Sequence, residues 1–115
     1  QNKGFFMLNE HVRLFKGLSE PLRLRIINLL FEEKNLCVCS IVASLEETRS
    51  KVSRHLIYMV NSGILKSFKK EQWSYYYLSE EMKRNDVILY VYNQIRNQGI
   101  CIKDSKRLKE FGECR

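Results

Sequence analysis

This sequence is poor in the residues that interrupt regular structure, since its 115 residues include one proline and five glycines. Hydrophobic residues make up 44% of the chain and charged residues 29%, a balance typical of a globular domain and not of a disordered segment. No apolar run approaches the ~20 residues that span a bilayer, and the N-terminal region lacks the apolar stretch of a signal peptide. We therefore expect one domain in a cytoplasmic protein without a membrane partner.

Acidic residues are absent from one stretch of the chain. The 23 residues from Thr48 to Lys70 include six lysines and arginines and no aspartate or glutamate, while the whole chain has a net charge of +7. A polyanion is the natural partner of so concentrated a basic patch. A solvated basic face without a partner is the alternative.

Hydrophobic spacing predicts a mainly α-helical chain with a two-stranded β wing. Apolar periodicity indicates helices over residues 5–17, 21–31, 39–45, 49–61 and 79–99. The segments ILKSFKK and WSYYYLS, joined by a short turn, have the composition of two paired strands. This order is the winged helix-turn-helix pattern. It predicts a domain over residues 1–100, followed by a polar, frayed tail at 101–115.

The helix from Arg49 to Asn61 has the features of a DNA-reading element. Its apolar residues share one side. The opposite side carries short polar side chains and cationic side chains. Small hydroxyls permit close approach to DNA, arginine can fork onto guanine, and a helix N-terminus favours phosphate. His55 lies at the edge of the apolar side, where packing is its alternative role. The predicted DNA contacts are Thr48, Arg49, Ser50, Lys51, Ser53, Arg54 and His55 on this helix, with Lys69 and Lys70 on the wing.

A single module of this kind makes few contacts, so dimers that read two half-sites are the usual solution. The first and last predicted helices carry more apolar residues than the core of a small monomer needs, which predicts a homodimer. The predicted partners are therefore double-stranded operator DNA and a second copy of the chain, and no cofactor is expected for DNA binding. The candidate interface residues are Phe5, Phe6, Val87, Val91, Tyr92 and Ile95.

Residues 35–79 resemble the core of the arsenical-resistance repressor family (ArsR/SmtB). The resemblance rests on an L-C-V-C element, an S-x-H-L element, a G-I-L strand entry and a Y-x-L strand exit. These elements occupy Leu36–Cys39, Ser53–Leu56, Gly63–Leu65 and Tyr76–Leu78. The resemblance implies a dimeric repressor that leaves its operator when an inducer binds.

Cys37 and Cys39 are the candidate inducer ligands. Thiolates are soft ligands suited to trivalent arsenic or antimony, and the arsenic-responsive branch is the most similar, so the expected inducer is As(III) or Sb(III). Residues two apart in a regular helix project about 200° from each other. A shared ion is therefore expected to require unwinding at residues 37–39, which would move the adjacent recognition helix. Packing as two small apolar residues is the alternative.

A third thiolate ligand is not obvious. Many arsenic-responsive relatives carry a further cysteine where this sequence has Val42. A third thiolate would have to come from Cys101 or Cys114, in the same or in the other protomer.

Other functions use the same residues differently. A repressor that responds to thiol oxidation or sulfur species would use the same cysteines. A cadmium or lead sensor is a further alternative, although such relatives add N-terminal cysteines and none precedes Cys37. An enzyme is not expected, because the only histidines, His11 and His55, fall on the predicted dimer and DNA helices. An interaction module without DNA would lack the steep salt dependence of a DNA-binding protein.

Overall fold

The computed structural model of the protein describes residues 7–111, which form seven helices and three strands. Polar side chains start three of the helices, since Thr48, Ser79 and Asn85 each accept a hydrogen bond from a backbone N–H of the first turn. Pro21 begins another helix at a position where no helical N–H is required. In chain order the elements are α1 (Leu8–Gly17), α2 (Pro21–Phe31), β1 (Leu36–Cys37), α3 (Val38–Leu45), α4 (Arg49–Asn61), β2 (Lys66–Lys70), β3 (Trp73–Tyr77), α5 (Glu80–Lys83), α6 (Asp86–Ile95) and α7 (Gly99–Phe111).

The apolar core lies between α2, α3 and α4. Ile26 and Leu30 of α2 pack with Ile41 of α3 and with Leu56 and Met59 of α4, and all five side chains are fully buried. Helix α3 and helix α4 are joined by the three-residue turn 46–48, so together they form a helix-turn-helix unit. The β2–β3 hairpin, here called the wing, follows α4. The predicted mainly α winged helix-turn-helix fold is confirmed.

The wing belongs to a three-stranded antiparallel sheet with the order β1-β3-β2. Across the hairpin Lys66 pairs with Tyr77 and Lys70 pairs with Trp73. The two-residue strand β1 pairs with the edge of β3 that β2 leaves open. Residues 35–38 were expected to be a connector, because two residues are too few to show the alternation of a strand.

The C-terminal third differs from the sequence prediction in two ways. The single helix expected over residues 79–99 is divided, because Asn85 Oδ1 accepts hydrogen bonds from the backbone N–H groups of Val87 and Ile88 at 2.9 and 3.1 Å and thereby starts α6. Residues 101–111, expected to be a frayed tail, are helical, and α7 buries Cys101 and Leu108 on the side that packs against α2 and α3. The prediction of a frayed tail is therefore wrong for these residues. No helix among residues 7–111 combines the length and apolar character that crossing a membrane requires.

Candidate nucleic-acid interface and thiol pair

Helix α4 turns its apolar side to the core and its cationic side to solvent. Val52, Leu56 and Met59 are fully buried, which fixes the rotation of the helix about its axis. Arg49 and Arg54 form no salt bridge with any residue in the range 7–111, so their charge is available to a polyanion. The predicted contact residues that α4 exposes are Thr48, Arg49, Ser50, Lys51 and Arg54, with Ser53 and His55 half-buried at its margins.

The N-terminal end of α4 is well ordered by local contacts. The Thr48 hydroxyl accepts a hydrogen bond from the Lys51 backbone N–H at 3.3 Å, which satisfies one of the donors left open at a helix start. The Lys51 ammonium also lies 3.4 Å from a carboxylate oxygen of Glu47. Lys51 is exposed and Glu47 is half-buried, and a contact that solvent screens in this way contributes little to stability. Lys51 therefore keeps most of its capacity to bind a phosphate.

Two partly desolvated groups lie at the boundary between α2 and α4. Desolvation, together with the charges of Arg23 and Arg54, lowers the pKa of His55 below its ordinary value, so the imidazole is mainly neutral at pH 7. Arg23 of α2 is buried, and its guanidinium carbon lies 4.1 Å from the ring centroid of Tyr58. Its Nε finds no hydrogen-bond partner within the described part of the chain. Arg23 is not among the predicted site residues, because the apolar pattern of α2 gives no sign that an arginine lies inward.

The wing presents lysines beside an aromatic cluster. Lys66, Lys69 and Lys70 are exposed. Phe68 stacks on Tyr75 across the hairpin with ring centroids 5.2 Å apart and an interplanar angle of 7°. The aromatic residues thus contact one another in the hairpin, and the exposed lysines are free to contact the phosphates of a DNA backbone.

Cys37 and Cys39 come together at the N-terminal end of α3. Cys37 is not part of the helix but its N-cap, with an extended backbone at φ −78° and ψ 158°. The helical projection of about 200° therefore does not apply, and the two Sγ atoms lie 3.0 Å apart. The predicted need for local unwinding is wrong for this reason. Cys37 is buried and Cys39 is half-buried, so this thiol pair lies at the edge of the core.

Cys101 does not join the thiol pair. Its side chain is 3% exposed on the inner side of α7, and burial raises the pKa of its thiol. Among residues 7–111, no group of three or more histidine, cysteine, aspartate or glutamate side chains is placed to hold a metal ion. The other candidate third ligand, Cys114, lies outside the described residues.

The predicted dimer residues fall into different environments. Phe5 and Phe6 lie outside the described residues, and Val87, Val91 and Ile95 are half-buried on α6. Tyr92 is instead covered within its own chain, because its ring stacks on Phe31 at a centroid distance of 4.0 Å and its hydroxyl donates to Glu32. Burial and this hydrogen bond raise the pKa of Tyr92 to about 12. On α1, the first of the helices predicted to form the dimer, the apolar residues Leu8, Val12 and Phe15 are exposed.

A buried carboxylate joins α2, α7 and the turn of the helix-turn-helix unit. Asp104 of α7 is 0% exposed and accepts hydrogen bonds from Arg25 Nε at 2.8 Å, from Arg25 Nη2 at 2.9 Å and from Arg107 Nη2 at 2.9 Å. Arg25 also donates to the Leu45 carbonyl at 2.8 Å, and Arg107 donates to the Ser44 carbonyl at 2.7 Å. The hydrogen bonds with Asp104 raise the pKa of Arg25. We call Arg25, Asp104 and Arg107 the arginine clamp.

The arginine clamp could not be predicted from the sequence. Asp104 and Arg107 lie in a stretch of mixed charge that is typical of a solvated tail, and Arg25 lies 79 residues before Asp104. The only local signal is that Cys101, Asp104 and Leu108 recur at helical spacing, which places the aspartate on an apolar side.

The chain is similar in sequence to bacterial transcriptional regulators. Residues 20–67 match the sequence profile of the family described as bacterial regulatory protein, arsR family. The arsenic resistance transcriptional regulator ArsR1 of Pseudomonas putida is 36% identical over 100 residues, which cover 87% of this chain and 78% of that protein. The arsenical resistance operon repressor of Escherichia coli is 41% identical over 68 residues, covering 59% of this chain and 58% of that protein. A CadC homolog of Staphylococcus aureus, a cadmium resistance transcriptional regulatory protein, is 36% identical over 69 residues, covering 60% and 57%.

Solved structures show the same fold. HlyU from Vibrio cholerae superimposes with a TM-score of 0.66 at 26% identity, covering 75% of this chain and 91% of that chain. The transcriptional repressor PagR of Bacillus anthracis gives a TM-score of 0.63 at 29% identity, covering 73% and 94%. These relatives are transcriptional regulators and not enzymes.

Proposed function

Because this chain belongs to the arsR family of bacterial regulatory proteins and is a DNA-binding transcriptional repressor, we propose that it binds operator DNA as a homodimer and is released by As(III) or Sb(III) held on Cys37 and Cys39. The observation that carries this proposal is the position of the thiol pair. It lies at the start of α3, and the other end of α3 turns directly into α4. A ligand on the two sulfur atoms is thus one short helix away from the DNA-reading element.

The exposed side of α4 and the wing support the DNA-binding part. Arg54 is exposed in the middle of α4, where a guanidinium can form a bidentate pair with a guanine edge. Lys69 and Lys70 at the hairpin tip add charge that contacts phosphates without reading sequence. Together they supply one half-site contact, and a second copy would supply the other.

An exposed apolar stripe supports the homodimer. Leu8, Val12 and Phe15 recur at helical spacing on α1 with exposed fractions of 78%, 43% and 54%. The opposite side of α1 is held so closely on the core that a Cβ at Gly17 would lie 2.2 Å from Ile64 Cδ1. The stripe therefore stays outward, where a second chain can cover it. Sedimentation equilibrium should give twice the chain mass, and a monomer at operator-binding concentrations would contradict the homodimer.

The chemistry of the thiol pair supports the inducer. Two converging thiols are the soft donors that trivalent arsenic and antimony prefer. They fit two positions of such an ion, and a third donor would come from outside residues 7–111, from a second chain or from solvent. Because one relative is named for cadmium resistance, Cd(II) is an alternative inducer, and Pb(II) is a further one.

Gel-shift release with matched cysteine variants tests the inducer assignment. Arsenite and antimonite should release promoter DNA from the wild type, and Cys37→Ser and Cys39→Ser should bind DNA normally but resist release, because each loses one thiolate donor. Cys101→Ala is the matched control and should respond as the wild type does, since its thiol lies apart from the pair. If a serine variant still responds fully, the thiol pair is not the inducer site. Release by Cd(II) or Pb(II) alone would assign the metal-sensor alternative.

Oxidation of the same thiols is the second candidate signal, favoured by the 3.0 Å approach of the two Sγ atoms. A two-electron oxidant such as a peroxide or an oxidised sulfur species would form an Sγ–Sγ bond, while the O–O or S–S bond of the oxidant breaks and its reduced fragments take up the two thiol protons. One structure of the fold relative HlyU is described as reduced. Mass spectrometry separates the candidates. DNA release that accompanies loss of two hydrogen masses without arsenite favours oxidation, whereas release by arsenite under reducing conditions favours the metalloid.

A further inference from the structure

We infer that α7 is part of the DNA-reading machinery, and that Asp104 is a positioning residue that sets the orientation of α4 through Arg25 and Arg107. This inference rests on the proposed DNA-binding function of α4. Helix α7 itself carries none of the predicted DNA contacts. Its effect is exerted on the turn 46–48, from which α4 begins.

The first step is that the arginine clamp binds the C-terminal end of α3. The last carbonyls of a helix have no partner within the helix. Here the Ser44 carbonyl accepts from Arg107 and the Leu45 carbonyl accepts from Arg25. Both guanidiniums are held in turn by Asp104, so the position of the end of α3 is set by a group on α7.

The second step is that the clamp also reaches the turn itself. Glu46 adopts a left-handed backbone conformation with φ 55°, which is unfavourable for a residue with a Cβ. Its carboxylate lies 3.6 Å from Arg107, and the Glu47 carboxylate lies 3.7 Å from Arg25. Each of the first two turn residues is therefore paired with one arginine of the clamp.

The third step connects the turn to α4. Only Thr48 separates Glu47 from Arg49, the first residue of α4, so there is no flexible segment to absorb a displacement of the turn. A DNA-reading helix must be held within a fraction of an ångström of its productive position. Loss of the clamp is therefore expected to weaken sequence-specific binding more than non-specific binding, which depends mainly on charge.

The test compares two variants of α7 that remove the same charge. Arg107→Met loses the contacts with the turn but keeps the apolar stem, and Asp104 retains its two hydrogen bonds from Arg25, so folding should persist. Lys109→Met on the same helix is the matched control, since Lys109 is exposed and contacts no turn residue. Fluorescence anisotropy measures the affinity of each variant for operator and for random duplex. Arg107→Met should lower the ratio of the two affinities roughly tenfold, a common size of coupling between sites, and Lys109→Met should leave it unchanged.

Two further variants separate positioning from general stability. Tyr92→Phe removes the hydrogen bond to Glu32 and lowers stability away from the turn, so it should not change the affinity ratio. Arg107→Lys keeps the charge without the planar fork and should recover part of the ratio. Equal ratios for Arg107→Met and Lys109→Met would overturn the inference.

Failure of the proposed function gives a different result. If the wild type itself does not distinguish operator from random duplex, the proposed DNA reading is wrong. Amide exchange at residues 44–49 still tests the clamp in that event. Faster exchange in Arg107→Met than in Lys109→Met supports it, and equal exchange overturns it.

Discussion

Arg25 and Arg107, on the inner side of the helix-turn-helix unit, differ sharply in surroundings from Arg49 and Arg54 on its outer side. The inner pair donates to a fully buried carboxylate and to helix carbonyls. The outer pair is exposed and has no salt-bridge partner among residues 7–111. Arginine therefore stabilises the fold on one side of the turn and, in the proposed function, contacts DNA on the other side.

The difference follows from solvation. A buried charge is costly unless it is paired and hydrogen-bonded, so the fully buried Asp104 carboxylate requires the two half-buried arginines that donate to it. An exposed arginine keeps its hydration and can exchange it for a phosphate or a guanine edge. Mutations on the inner side should therefore change the free energy of unfolding first, whereas mutations on the outer side should change DNA affinity and leave unfolding unchanged.

The largest expected effect is that of Asp104→Ala. It leaves two arginines side by side without their shared carboxylate, and removal of one partner from a buried ion pair typically costs about 3–5 kcal/mol. Urea denaturation measures the loss in the free energy of unfolding. Asp86→Ala is the control, because Asp86 is exposed in the first turn of α6 and its loss should cost about 0.3–1 kcal/mol. Similar losses for both variants would show that the clamp adds no cohesion.

The next effect is that of Arg54→Ala on operator binding. Loss of a bidentate base contact should cost about 1–3 kcal/mol of discrimination and relax the preference at one base pair, with unfolding unchanged. Lys70→Ala is matched in charge and should instead weaken all duplexes alike and reduce the salt slope by about one. Binding titrations over several salt concentrations and operator variants measure both. If Arg54→Ala behaves as Lys70→Ala does, Arg54 contacts phosphate and not a base.

The outer side could be predicted from sequence and the inner side could not. The basic stretch 48–70 lacks acidic residues, and the helical spacing of Val52, Leu56 and Met59 shows which side of α4 is outward. Both signals are local. The clamp joins residues that are 79 positions apart, and the helical spacing of Cys101, Asp104 and Leu108 is the one weak sign in the nearby sequence that the aspartate faces inward. A polar tail and a helix with one buried carboxylate have nearly the same composition.

The thiol pair was predicted by identity but not by geometry. The sequence indicated Cys37 and Cys39 as partners, yet helical projection placed their sulfur atoms apart. The start of α3 decides the matter. Because α3 begins at Val38, Cys37 keeps an extended backbone and directs its sulfur to that of Cys39. A difference of one residue in where α3 begins therefore decides whether the two sulfur atoms converge.

The smallest expected effect concerns His55, which lies between the two sides. Its folded-state pKa is below its ordinary value of 6.5 because of desolvation and because Arg23 and Arg54 are near, with Glu20 acting in the opposite direction. The unfolded chain therefore takes up a proton below pH 6.5 that the folded chain resists, so stability should fall as the pH decreases through that range. Urea denaturation of wild type and His55→Gln as a function of pH should show this extra fall only in the wild type.

Operator affinity adds the second readout, since a phosphate beside His55 would raise its pKa and strengthen binding at lower pH. If the operator affinities of wild type and His55→Gln change with pH in the same way, the His55 ring packs at the boundary of the core and does not contact DNA.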